Sequence, residues 1–149
     1  ATKKALENGC KEVLWLDAHE HKYVEEVGTS NAFFMIGDEV ITAPLGGSIL
    51  PGVTRDSTIT LLRKWGYKVS ERRLSIQEIE EASKDGSLQE AWATGTACVI
   101  SPIGYLRYMD RDIVIHGGGV GPVSQKLYDH IYGMQTGVVA DDMGWIVQL

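Results

Sequence analysis

Ile49-Leu50-Pro51-Gly52-Val53-Thr54-Arg55 runs straight into a helical pattern, and the reading of this stretch decides what the rest of the chain has to build. Pro51 fixes φ and Gly52 permits a sharp entry, so a helix is expected to begin just past Gly52. A helix start leaves its first N–H groups without intrahelical acceptors and carries partial positive charge. An anion beyond Gly52 would therefore meet the amides of Val53 and Thr54 and the Thr54 hydroxyl. Taken alone, so short a motif is more often an ordinary helix start than a phosphate seat.

Two more polar segments bear on that choice. Glu26-Val27-Gly28-Thr29-Ser30-Asn31 lies upstream and Thr94-Gly95-Thr96-Ala97 downstream, each interrupting apolar, strand-like sequence. Thr-Gly-Thr between the apolar runs 90–93 and 98–103 can expose successive backbone amides as an anion nest. A β-bulge or tight bend explains the same segment equally well.

Outward from Gly52, Ile59, Leu62 and Trp65 share one face of the expected helix, which ends at Gly66. Residues 68–73 alternate weakly, as an edge strand does. Ser75-Ile76-Gln77-Glu78 is a capping box that opens a second helix, and Ser87-Leu88-Gln89-Glu90 repeats the pattern for a shorter one. Residues 98–103 form the strongest strand of this half, 107–109 and 112–116 a hairpin, and 117–121 a loop. Pro122 stands at the first position of a last helix with Leu127, Ile131 and Met134 in its apolar stripe. Upstream, residues 3–8 with Gly9 read as the tail of a helix, and 12–16, 23–27, 31–36 and 40–42 as strands. This mixture does not alternate strictly. It fits an α/β domain with a mixed, curved sheet or pseudo-barrel and flanking helices, not a doubly wound parallel sheet.

At 149 residues the chain is one domain by length. A net charge of −6 without any Lys/Arg stripe argues against a nucleic-acid partner. No apolar run approaches the length of a membrane span and no leader pattern is present, so the expectation is a cytosolic protein with no membrane partner. Cys10 and Cys98 are widely separated and suit reduced thiols. His19 and His21 flank Glu20 in what reads as an exposed loop, and no metal is expected. Gly117-Gly118-Gly119-Val120-Gly121 has neither the Lys-Ser/Thr of a P-loop nor dinucleotide-binding spacing.

With the polar segments placed, the chain resembles the C-terminal domain of branched-chain amino acid aminotransferases, fold-type IV enzymes that use pyridoxal 5′-phosphate. Val13-Leu14-Trp15-Leu16-Asp17, Glu26-Val27-Gly28-Thr29 and Leu50-Pro51-Gly52-Val53-Thr54-Arg55-Asp56 match family patterns. So, in the same order, do Val69-Ser70-Glu71-Arg72, Gly95-Thr96-Ala97 with Ile100-Ser101-Pro102, and Gly121-Pro122. The resemblance implies that residues 1–149 are the cofactor-binding C-terminal domain of an enzyme that moves an amino group between Leu, Ile or Val and 2-oxoglutarate. It implies Glu26 as the catalytic carboxylate at the pyridine nitrogen, Val53, Thr54 and Thr96 as phosphate ligands, and Thr29, Thr96 and Ala97 as the substrate side of the pocket. Glu25, on the opposite face of the strand from Glu26, is expected to be a solvated surface carboxylate. A homodimer and a place in branched-chain amino acid metabolism are implied as well.

The same resemblance puts the lysine that carries the cofactor before residue 1, together with the smaller N-terminal part that covers the substrate, so the chain alone is expected to be inactive. Cys98 matches the first cysteine of a dithiol pair in some relatives, but Ser101 stands at the second position. D-amino acid aminotransferase and aminodeoxychorismate lyase of the same superfamily stay open as alternatives, as does a non-catalytic module that binds phosphate or cofactor.

Overall fold

The computed structural model describes residues 1–147. After α1 (Thr2–Glu7), which ends ahead of Gly9 at φ +75°, come β1 (Leu14–Leu16), β2 (Val24–Val27), β3 (Ser30–Ile36) and β4 (Glu39–Thr42), each antiparallel to the one before. The chain then crosses through α2 (Val53–Lys64) to β5 (Lys68–Glu71), which lies parallel to β4 as an edge strand. That crossover makes the sheet mixed. Next come α3 (Ile76–Asp85), β6 (Leu88–Gly95) and β7 (Val99–Pro102), a separate hairpin of β8 (Tyr105–Tyr108) and β9 (Arg111–Val114), and α4 (Pro122–Gln135).

β3 organises the sheet. β6 pairs along it from Asn31 to Ile36, so β2, at residues 30–31, and β4, at residues 33–36, must share its other edge in succession. Its sequence Ala-Phe-Phe explains the central position, because Ala32, Phe33 and Phe34 are at most 2% exposed and supply both faces. On one face Phe33 stacks on Trp92 with ring centroids 5.6 Å apart, under Ile59, Leu61 and Leu62 of α2 and Val123, Leu127 and Ile131 of α4. On the other, Phe34 and Ala91 pack with Ile76, Ile79 and Ala82 of α3 and Ile113 of the hairpin.

The sequence expectation of a mixed α/β sheet with flanking helices holds. One local expectation fails: Ser87-Leu88-Gln89-Glu90 opens no helix. Gly86 at φ +82° ends α3, the Ser87 amide donates to Asp85, and the chain enters β6 at Leu88. A row of partners on β3 and the burial of Ala91, Trp92 and Ala93 outweigh a four-residue capping pattern. The hairpin was expected about two residues later than its first strand begins. The turn falls at Met109 and Asp110, both at positive φ, as a two-residue hairpin turn requires.

Candidate active site

β2, β3 and β6 bring two of the three polar segments to one end of the sheet. Glu26 pairs with Asn31 across β2 and β3, and Asn31 pairs with Thr94 across β3 and β6, so the three residues share the face covered by α2 and α4. Asn31 draws in the third segment: its Nδ2 donates to the Leu50 carbonyl at 2.8 Å and to Glu26 Oε1 at 3.4 Å. The Leu50 amide donates to the same Glu26 oxygen at 3.0 Å. Gly52 then lies so close that a Cβ there would overlap Asn31 Oδ1. Its lack of a side chain therefore serves packing on Asn31 before any ligand arrives.

Past Gly52, α2 begins without a cap. No side chain accepts from its first turn, and the amides of Val53, Thr54 and Arg55 donate to nothing among the described residues. Val53 is 83% exposed, so this end faces outward. Arg55 anchors the turn from behind, its Nη2 donating to the Ala43 carbonyl at 2.8 Å and to Glu71 Oε2 at 2.9 Å. The Arg55 hydrogen bond holds the Glu71 carboxyl below the usual range, so this pair of a buried guanidinium and an exposed carboxylate stays ionised. α2 can thus hold a dianion at its start while its own basic side chain is already paired.

The β6–β7 hairpin supplies the other wall. Gly95 pairs with Val99 around the turn 96–98, and a Cβ at Gly95 would come within 2.8 Å of Ser30 Oγ, so this turn packs against the β2–β3 turn that carries Thr29. Thr96 and Ala97 are exposed at its tip. Val99 sits at φ +57°, a region β-branched residues rarely occupy, so the hairpin holds the turn in a strained shape. Thr29 and Ala97 both line a cavity of about 900 Å³ with Ser30, Cys98 and Tyr105. Glu26, Val53, Thr54 and Thr96 stand outside that lining; Glu26, through Leu50, belongs to the loop that leads into α2, and Thr96 to the tip of the β6–β7 turn.

Glu25 departs from expectation. It is half-buried and accepts from Ser48 Oγ at 2.7 Å, so both carboxylates of β2 hold the 48–50 loop. Sequence reading missed Asn31 as an organiser. A buried Asn at the head of Ala-Phe-Phe was the available signal, since a polar side chain in an apolar strand needs a partner. The Leu50 amide carries no such signal.

The donor set fits a phosphorylated heterocycle on three counts. Three open amides with the Thr54 hydroxyl suit a phosphate, and Glu26 Oε2, which accepts no bond among the described residues, suits a ring N–H. Thr94 Oγ1 is buried on the same face without a partner.

Comparison with known proteins agrees. The sequence model of amino-transferase class IV matches residues 1–105. Branched-chain-amino-acid aminotransferase 2 of Bacillus subtilis (strain 168) is 51% identical over 149 residues, all of this chain and 41% of that protein. A probable branched-chain-amino-acid aminotransferase of Staphylococcus aureus (strain N315) is 51% identical over 147 residues, 99% of this chain and 41% of that protein. Among solved structures, the Escherichia coli branched-chain amino acid aminotransferase superposes with a TM-score of 0.80 at 29% identity, over 98% of this chain and 45% of that one. A second solved branched-chain amino acid aminotransferase, from T.th. and complexed with N-(5′-phosphopyridoxyl)-L-glutamate, gives 0.78 at 29% identity, over 99% and 45%. The chain thus spans about 41% of the length of these curated relatives, and with a family model covering 105 of its 149 residues it belongs to the class IV amino-transferases.

Proposed function

We propose that residues 1–149 are the C-terminal, cofactor-binding part of a pyridoxal 5′-phosphate-dependent aminotransferase acting on Leu, Ile or Val and 2-oxoglutarate. The observation that carries this reading is the uncapped start of α2, docked through Asn31 and Leu50 onto the carboxylate of Glu26. A phosphate seat and an acceptor for a ring nitrogen are thereby tied to each other, and the relatives named above are branched-chain aminotransferases.

When bound, the cofactor supplies a conjugated ring that takes up the electron pair left at the substrate α-carbon. In this reading Val53 and Thr54 donate amides, and Thr54 and Thr96 hydroxyls, to the phosphate. Glu26 holds a proton at the ring nitrogen through Oε2, while its Oε1 stays fixed by Leu50. The turn amides at Thr96 and Ala97 receive the substrate carboxylate, and Thr29 closes that side. The lysine for covalent attachment and proton transfer comes from a part of the enzyme outside these residues. In this reading the complete enzyme is a cytoplasmic homodimer, as the family resemblance implies.

A chimera in which residues 1–149 replace the matching segment of the Bacillus subtilis relative tests the proposal. It should bind pyridoxal phosphate and transaminate leucine, and Glu26→Gln should lower kcat by about a hundredfold with little effect on folding. Failure of the folded chimera to bind the cofactor removes the proposal, and unchanged kcat in Glu26→Gln removes Glu26 from its role. The 149-residue chain alone should bind the cofactor weakly and yield no specifically labelled lysine on borohydride reduction.

A further inference from the structure

Glu90 is a carboxylic side chain only 3% exposed near the start of β6, yet the chemistry above leaves it unused. Its carboxylate reaches the start of α4. Oε1 accepts from the Val123 amide at 2.9 Å, and Oε2 from the Ser124 amide at 2.9 Å and from Ser124 Oγ at 3.0 Å. Pro122 has no amide and the Gln125 amide bonds to the Gly121 carbonyl, so the first turn of α4 is fully satisfied. Gly121 leaves room for the clamp, because a Cβ at that position would occupy the space of the Glu90 carboxylate.

The clamp bears on the site. Glu90 and Thr94 point to the same face of β6, and Val123, Leu127 and Ile131 of α4 pack with Val99 and Ile100, the residues that return from the Thr96–Ala97 turn. α4 is therefore the backing of the β6–β7 hairpin, and Glu90 ties the front end of that backing to β6 itself. Val99 stays at φ +57° only while its surroundings impose it.

We infer that Glu90 is a positioning residue: by clamping α4 onto β6 it holds the β6–β7 turn in the shape that presents Thr96 and Ala97. The inference rests on the proposed function for what the turn binds, whereas the clamp itself does not.

Amide exchange within residues 1–149 of the chimera described above separates the two. Glu90→Gln should speed exchange of the amides pairing residues 94–95 with 99–100 by about tenfold, leaving amides 57–61 of α2 within about twofold. Gly121→Ala should reproduce this in the native background and add less than about twofold once Glu90 is Ala, because the two changes compete for one space. Ser124→Ala removes a single donor, keeps the fold, and should give about a threefold effect in the same amides. The dissociation constant for pyridoxal phosphate should rise about threefold in Glu90→Gln, whereas Thr54→Val should weaken binding without touching hairpin exchange. Hairpin exchange within twofold of native in Ser124→Ala and Glu90→Gln overturns the inference, and so does an equal rise in α2, which would mark a general loss of stability. If the folded chimera with native residues 1–149 binds no pyridoxal phosphate, the proposed function fails while the exchange results still decide the clamp.

Discussion

Two helix starts on the same face of the sheet are treated in opposite ways. α4 begins with Pro122, which needs no acceptor, and gives the amides of Val123 and Ser124 to the buried carboxylate of Glu90. α2 begins with Gly52 and leaves the amides of Val53, Thr54 and Arg55 open among the described residues. The third start, at α3, lies between them. Ser75 Oγ accepts from the Glu78 amide at 3.1 Å and the Ile76 amide reaches the Lys22 carbonyl, so only Gln77 is left. A protein able to fill one helix start with a carboxylate from a central strand has the means to fill another. The start left empty on this face is the one that the proposed function gives to the phosphate.

Emptying the filled start should have the largest effect. Glu90→Ala leaves the two buried amides of Val123 and Ser124 without acceptors, while the Ser124 hydroxyl keeps the Gly121 carbonyl at 3.0 Å, and should cost roughly 3 kcal/mol in urea unfolding. A loss under about 1 kcal/mol would mean water enters and replaces the carboxylate, and the contrast between α4 and α2 would shrink accordingly. Ser75→Ala removes one acceptor from a less buried start and should cost about 1 kcal/mol, read from the same urea midpoint. A loss equal to that of Glu90→Ala would show that burial does not separate the two caps.

At the open start the order should reverse. Thr54→Val removes a hydroxyl that makes no hydrogen bond to the protein among the described residues, so stability should move by less than about 0.5 kcal/mol. Affinity for inorganic phosphate or pyridoxal phosphate, measured by calorimetry, should nevertheless fall about tenfold. A Thr54→Val chain that is clearly less stable but binds phosphate as before would turn α2 into another structural start.

Much of this contrast could be read in the sequence, though not for one reason. Leu50-Pro51-Gly52-Val53-Thr54 signals a helix start through φ restriction alone, and Pro122 does the same for α4; both are local effects. The Ser75 cap is also local and is found where expected. Its partner Glu78 is not: its carboxylate binds Arg72 at 2.6 Å instead of turning back to the Ser75 amide. Glu90 was misread altogether, as the last member of a capping box for its own segment, when it caps a helix thirty-odd residues later. Nothing in Ser87-Leu88-Gln89-Glu90 tells which amides the carboxylate will meet, because that depends on where β6 pairs. Asn31 escaped for the same reason: its bonds to Leu50 and Glu26 exist only once β2 and β3 are paired.

The smallest expected effect comes from a carboxylate that does at a loop what Glu90 does at a helix. Asp17 accepts the amides of Glu20, Lys22 and Tyr23 at 2.7, 2.9 and 2.7 Å, and these bonds, that of Tyr23 foremost, push its carboxyl far below the ordinary 3.8. A folded-state value below the unfolded one means the ionised form favours the fold. The contribution is complete above the unfolded value and fades as pH falls through the carboxylate range towards the folded one. Asp17→Asn should therefore flatten the loss of stability with acid below about pH 4, and the Asp17 carboxyl should titrate by NMR well below 3.8. A midpoint at or above 3.8 would show that the three amides are not held in solution. Glu26 accepts one backbone amide, at 3.0 Å, and a long contact from Asn31. If Asp17 proves saturated by its own backbone while Glu26 stays available, the rule drawn from the helix starts extends to carboxylates: groups the fold uses are filled by the fold, and the one beside the open helix keeps an oxygen free for a ligand.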